Sequence, residues 1–240
     1  VTVITIDERF CGPSTSGHGG YTSGRLAAFL DAPASVRLHL PPPLRTPLEV
    51  VSQYYGGVDL TAGDEVVATA ERRAPLSVDP PDPVEVEVAA ECEHGYLWIE
   101  DHPFPRCFAC GTERAVGDGW RIFAGPTPDG EFVASRAVCP QDLAVDGLVP
   151  VEQIWAALDC TTAGALSVAG ADRSRPWVLG TYAVDVWGRF PAESTAVAMA
   201  WPVELEGRKF FAEGALYVEG RAVAVATATW IQLRDGLAVT

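Results

Sequence analysis

PVEQIWAALDCTTAGALSVAG, from Pro150 to Gly170, decides how the rest of the chain is read. Val151, Ile154, Trp155, Leu158, Thr162, Ala165 and Leu166 recur at steps of three and four, the period of a helix with one broad buried face. Glu152 and Asp159 stand two turns apart, so both carboxylates project to nearly the same side, with Trp155 between them. An acid beside apolar side chains is either hydrogen-bonded by a neighbouring element or held for chemistry, because an unpartnered buried carboxylate is costly.

Working outward, the segments after this helix alternate like strands: GTYAVDVWGRF, STAVAMAWPVELEG, RKFFAEGALYVEG and RAVAVATATWIQL, with tight turns at Glu206-Gly207 and Glu219-Gly220. Before it, WRIFAG and EFVASRAVC read as two strands around Pro128-Asp129-Gly130. The first half repeats the plan. VTVITI is a strand, and a helix follows Ser16 and carries Leu26, Ala28, Phe29 and Leu30 before Pro33 ends it. SVRLHL, Leu48–Tyr55, Val58–Leu60 and Asp64–Arg72 then read as strands, and DPPDPV as a loop. A helix followed by a run of strands, twice, predicts α+β architecture built by internal duplication. The expected halves are residues 1–100 and 101–240.

The chain has 240 residues, 48% of them apolar, enough for a sizeable core. A net charge of −15, from 17 basic and 32 acidic residues, gives no general attraction for nucleic acid or anionic lipid. No run of apolar residues is long enough to span a membrane, and Val1–Arg9 alternates and carries charge, unlike a signal peptide. Six cysteines are too sparse for a disulfide scaffold, so a reducing cytoplasm is the expected location.

The order of strand, His18-Gly19-Gly20, buried helix and antiparallel strands resembles the hotdog fold of acyl-CoA thioesterases, in particular the phenylacetate-type members with an HGG motif. Cys107-Phe108-Ala109-Cys110-Gly111 is similar to the CFxCG segment that precedes the first strand in many of them. The resemblance implies a double hotdog: two antiparallel sheets, each wrapping one central helix, packed side by side with their strands continuous. It also implies an Asp or Glu nine residues after the His, acting as base or nucleophile on a thioester. A backbone N–H at the first Gly, contributed by the other half, would polarise the carbonyl. In the first half the acid position holds Ala27; in the second, Asp159 fits, while the HGG positions hold Pro150, Val151 and Glu152. Asp159, Gly19 and His18 are therefore the expected catalytic residues of one composite site, and Gly20, Glu152, Trp155 and Thr162 the expected substrate contacts. Thr161 or Thr162 could orient a water. The implied activity is hydrolysis of an acyl thioester with no cofactor beyond the coenzyme A of the substrate, in a homodimer of double hotdogs. A helix N-terminus, with free N–H groups and a positive dipole end, suits a developing oxyanion. The second reading is a non-catalytic hotdog protein that binds an acyl-CoA or serves in assembly, favoured by the lost half of each motif. A dehydratase using His18 and Asp159 is a third.

Cys92, His94, His102, Cys107 and Cys110 lie within nineteen residues, and Cys-x-x-Cys is a zinc-ligand spacing. The sequence lacks a second clean pair, and the expectation is no metal: buried thiols and surface histidines. His18 at a helix start is expected to bond the backbone, and Arg173 and Arg175 are candidates to meet coenzyme A phosphates.

Overall fold

The computed structural model describes residues 2–234; Val1 and the end of the tail after Arg234 lie outside them. Among the described residues, eleven strands form one sheet: β1 (Thr2–Ile4), β2 (Ala34–Leu38), β3 (Leu48–Ser52), β4 (Val58–Ala62), β5 (Glu65–Arg72), β6 (Gly125–Pro126), β7 (Val133–Ala137), β8 (Trp177–Val186), β9 (Ala196–Glu206), β10 (Lys209–Val218) and β11 (Arg221–Gln232). Three α-helices accompany them: α1 (Gly19–Ala27), α2 (Val86–Cys92) and α3 (Val151–Gly164).

The strand order is β1-β3-β4-β5-β2-β8-β11-β10-β9-β7-β6, with every pairing antiparallel. β1-β3-β4-β5-β2 and β7-β9-β10-β11-β8 are the same arrangement, so the halves duplicate one topology. In each, the first strand after the central helix lies at the middle of the sheet. β2 and β8 join there through Ser35↔Ala183, Val36↔Tyr182 and Arg37↔Thr181. The expectation of two sheets is thereby corrected: the ladder runs across the boundary because these two strands pair rather than ending as free edges.

α1 and α3 pack on each other and on one face of this sheet, α1 over β2, β5 and β8, and α3 over β7 to β11. The strand alternation read from the sequence sends Ala196, Ala198, Ala200, Phe210, Leu216, Ala226 and Trp230 into the core beneath the helices. The opposite parity, including Ala134, Val197, Met199, Ala215, Tyr217 and Val225, packs against Val78, Ala89 and Cys92 on the other face. The connection between halves therefore does more than link them: α2 covers the back of the second half.

Several boundaries differ from the sequence reading. α1 stops at Ala27, and Ala28 to Leu30 continue only as turns, with Leu30 N–H bonding Ala27 O at 2.9 Å. β3 stops at Ser52 because Gln53–Gly57 turns, with Gly56 at φ +87°. Trp120–Ala124 is buried except for the half-buried Arg121 but forms no strand: Trp120 N–H and Ile122 N–H donate to the carbonyls of Phe108 and Ala109.

Candidate active site at the helix junction

α1 begins at the HGG motif. His18 is its N-cap, its Nδ1 accepting from Tyr21 N–H at 3.2 Å, so the ring fixes the turn as expected of its position. The next turn has no side chains on the face toward α3. A Cβ on Gly20 would lie 2.5 Å from Asp159 Cβ and 2.6 Å from Trp155 O; one on Gly24 would lie 2.8 Å from Glu152 Cα. Glycine is required there because the backbones approach too closely for any side chain. The result is a hydrogen bond between halves: Gly20 N–H donates to Asp159 Oδ2 at 2.6 Å. His18 Nδ1 is 3.3 Å from the same oxygen.

Asp159 is only 3% exposed. Burial raises its pKa to about 6, against the opposing pull of His18 and the Gly20 N–H. Its other oxygen, Oδ1, has no hydrogen-bond partner. Burial also pushes His18 toward neutrality, but Asp159 and Cys107 outweigh it and the net shift is upward. On its far side, His18 Nε2 lies 3.2 Å from Cys160 Sγ, and Cys160 Sγ lies 3.7 Å from Cys107 Sγ. Hydrogen bonds from Cys110 and Cys160 hold the Cys107 thiol well below the ordinary range, with burial opposing. The same bonds to Cys107 help push Cys110 and Cys160 up. His18, Cys107 and Cys160 offer donor atoms all within 4.8 Å of one another.

Of the residues expected from sequence, His18, Gly20 and Asp159 meet. Gly20, rather than Gly19, presents its N–H to the carboxylate; Gly19 faces Leu179 and Leu38. Trp155 is buried beside Gly24, its ring edge-on to Tyr182 at 5.4 Å, and Tyr182 O–H donates to Trp155 O. Glu152 sits half-buried in the first turn of α3. Neither threonine hydroxyl is directed at the carboxylate group. Thr161 Oγ1 donates to Ala157 O, while Thr162 Oγ1 donates to Asp159 O and accepts from Trp230 Nε1–H. The cysteine–histidine set suggested by spacing is not assembled. His94 is exposed, His102 bonds Tyr96 O–H and Phe104 N–H, and Cys92 lies behind the sheet. Cys160 is the residue sequence reasoning passed over; 53 positions separate it from Cys107 and 142 from His18, so no local spacing marks it.

No protein-family model matches the chain, and no curated protein matches it in sequence. Solved structures do match. A thioesterase candidate from Novosphingobium aromaticivorans is 12% identical, with 97% of this chain and 95% of that one covered and a TM-score of 0.63. A TesB protein from Mycobacterium avium subsp. paratuberculosis is 13% identical, with 97% and 92% covered and a TM-score of 0.62. A protein of unknown function with a hotdog fold, from Alicyclobacillus acidocaldarius, is 14% identical, with 97% and 93% covered and a TM-score of 0.57. At such identities the likeness is one of architecture, and it extends over nearly the whole length of each partner: the chain has the hotdog fold, in duplicate.

Proposed function

We propose that the chain hydrolyses an acyl thioester, of the acyl-CoA class, at the junction of α1 and α3. The observation that carries this reading is the bond from Gly20 N–H to Asp159 Oδ2, which joins the helix start of one half to the acid of the other. Asp159 has the character of a general base: a carboxylate in an apolar site, its pKa lifted to about 6, with one oxygen unpartnered. It takes a proton from a water molecule as the water oxygen bonds to the thioester carbon. Charge developing on the carbonyl oxygen is met by the Gly19 N–H at the start of α1. The carbon–sulfur bond then breaks, the thiolate leaves and takes up the proton, and a carboxylic acid and a thiol result. Because Asp159 is buried, the substrate gains access only as the residues around the helix junction move aside.

The test is hydrolysis of short, long and aromatic acyl-CoA substrates. Asp159→Asn is expected to lower turnover roughly a hundredfold or more, in line with general-base contributions. Absence of turnover by the wild-type protein on all three groups would overturn the reading. A second reading is favoured by the same bond, since the Gly20 N–H is already engaged by Asp159 itself: a hotdog protein that binds an acyl-CoA without hydrolysing it. Binding without turnover would select it.

A further inference from the structure

We propose that Cys107, Cys110, Cys160 and His18 bind one zinc ion, which ties the two halves together beside the helix junction. The proposal does not depend on thioester chemistry. Two sulfurs bound to one tetrahedral zinc, each at about 2.3 Å, stand about 3.8 Å apart. Cys107 and Cys160 stand 3.7 Å apart. The imidazole Nε2 lies 3.2 Å from Cys160 Sγ, a few tenths of an ångström inside the nitrogen–sulfur edge of the same tetrahedron. Cys110, buried and three residues after Cys107 in the same loop, would supply the fourth donor, at the Cys-x-x-Cys spacing of zinc sites. Three thiolates and one imidazole form a closed set characteristic of structural zinc sites.

The backbone around the pair is built for it. Cys107-Phe108-Ala109-Cys110-Gly111 folds into a tight knuckle in which Gly111 N–H donates to Cys107 O at 2.9 Å. A Cβ at Gly111 would lie 2.5 Å from that oxygen and 2.7 Å from Cys107 N, so only glycine closes the loop. The knuckle is itself anchored, by Phe108 N–H to Cys11 O and by the Trp120 and Ile122 amides. All four donors are buried, and all six cysteines are free thiols.

The histidine also has a supporting carboxylate. With Nδ1 accepting from Tyr21 N–H, the ring proton sits on Nε2, against Cys160. Zinc at Nε2 moves the remaining ring proton to Nδ1, where Asp159 Oδ2 is 3.3 Å away. Loading therefore exchanges Tyr21 for Asp159 as the partner of Nδ1, placing a carboxylate behind a metal-bound imidazole. The thiol protons are released to solvent as the thiolates bind. The proposal departs from the expectation, drawn from sequence, that the cysteines bind no metal.

The experiment is elemental analysis of the full chain, purified under reducing conditions without chelator or a metal-affinity tag. About one zinc per chain is expected. Cobalt(II) added to metal-stripped, refolded protein is expected to give sulfur-to-cobalt charge-transfer absorption. Cys107→Ser and Cys160→Ser should hold less than roughly a tenth of the wild-type zinc, while Cys92→Ser and Cys139→Ser keep it. Asp159→Asn should retain the ion but bind it roughly 10- to 100-fold more weakly. If a ligand variant fails to fold, the wild-type cobalt spectrum decides. Wild-type protein that carries no zinc and develops no thiolate–cobalt absorption overturns the proposal, and loss of metal in Cys92→Ser or Cys139→Ser overturns its location. Metal content is read without substrate, so either result leaves the hydrolysis test independent.

Discussion

The starts of the two central helices occupy equivalent places in a duplicated topology, yet they are built differently. α1 opens on His18-Gly19-Gly20, with a buried imidazole cap and bare backbone turned toward α3. α3 opens on Pro150-Val151-Glu152, with no side-chain cap and with Val151 39% exposed. Further along, the difference reverses: α3 carries Asp159 where α1 carries Ala27. Each half holds a feature that the other lacks. The small residues of α1 are the space into which Asp159 and Trp155 fit.

The comparison can be broken at several points. The strongest is the ion pair between halves, in which Arg73, just after β5, holds both oxygens of Asp185 on β8, at 2.6 and 3.3 Å. Leu76 N–H donates to the same carboxylate. Asp185→Ala leaves a largely buried guanidinium unpaired, and a loss of about 3–5 kcal/mol is expected in urea unfolding. A loss below about 1 kcal/mol would mean that the halves are held by the β2–β8 ladder and the helices alone.

Next comes the acid pair on α3. Asp159→Asn is expected to cost roughly a hundredfold in turnover and Glu152→Gln less than about threefold, because Glu152 has no glycine-bearing helix start opposite it. Equal effects would show that the second location is not degenerate. Gly20→Ala forces a methyl against Asp159 and the Trp155 carbonyl; thermal or urea unfolding should show a loss of about 1–3 kcal/mol, whereas Val151→Ala should stay within about 0.5 kcal/mol. Similar values for both would remove the claim that only α1 is shaped for close approach. The smallest effect is expected at the surface pair joining Arg9 to Asp142, whose carboxylate is mostly exposed. Asp142→Ala should cost less than about 1 kcal/mol, and a larger loss would mark it as part of the contact between halves.

Much of this was legible before the structure. The three-and-four spacing of Ile154, Trp155 and Leu158 reports a buried helix because one face does all the packing. The strands of the second half were legible because alternating residues enter opposite cores. Trp120–Ala124 shows the limit of that signal. An apolar run reports which residues are buried, not which backbone they bond, and here the partner is the Phe108–Ala109 loop. α2 was hidden for the converse reason: valines alternating with glutamates in Val84–Val88 carry no helical period, and the helix is set by packing on the back of the sheet. At the site, HGG and Asp159 could be paired through the family resemblance, but the choice of Gly20 over Gly19 depends on how closely two helices approach. The meeting of Cys160 with Cys107 and His18 is purely tertiary.

The seam between β2 and β8 has a consequence for the order in which the chain is made. β2 is synthesised early and bonds β5 on one side, but its other edge waits for β8, which begins only at Trp177. At roughly 5–20 residues per second that interval is on the order of ten seconds, during which a nascent half presents an unpaired strand edge. Arg37, exposed in the middle of β2, is the kind of charge that discourages pairing with a stranger. Ribosome-bound chains ending near residue 100 should therefore associate more readily when Arg37 is replaced by valine, and chains extended past β8 should lose that sensitivity, because by then the edge has found its own partner.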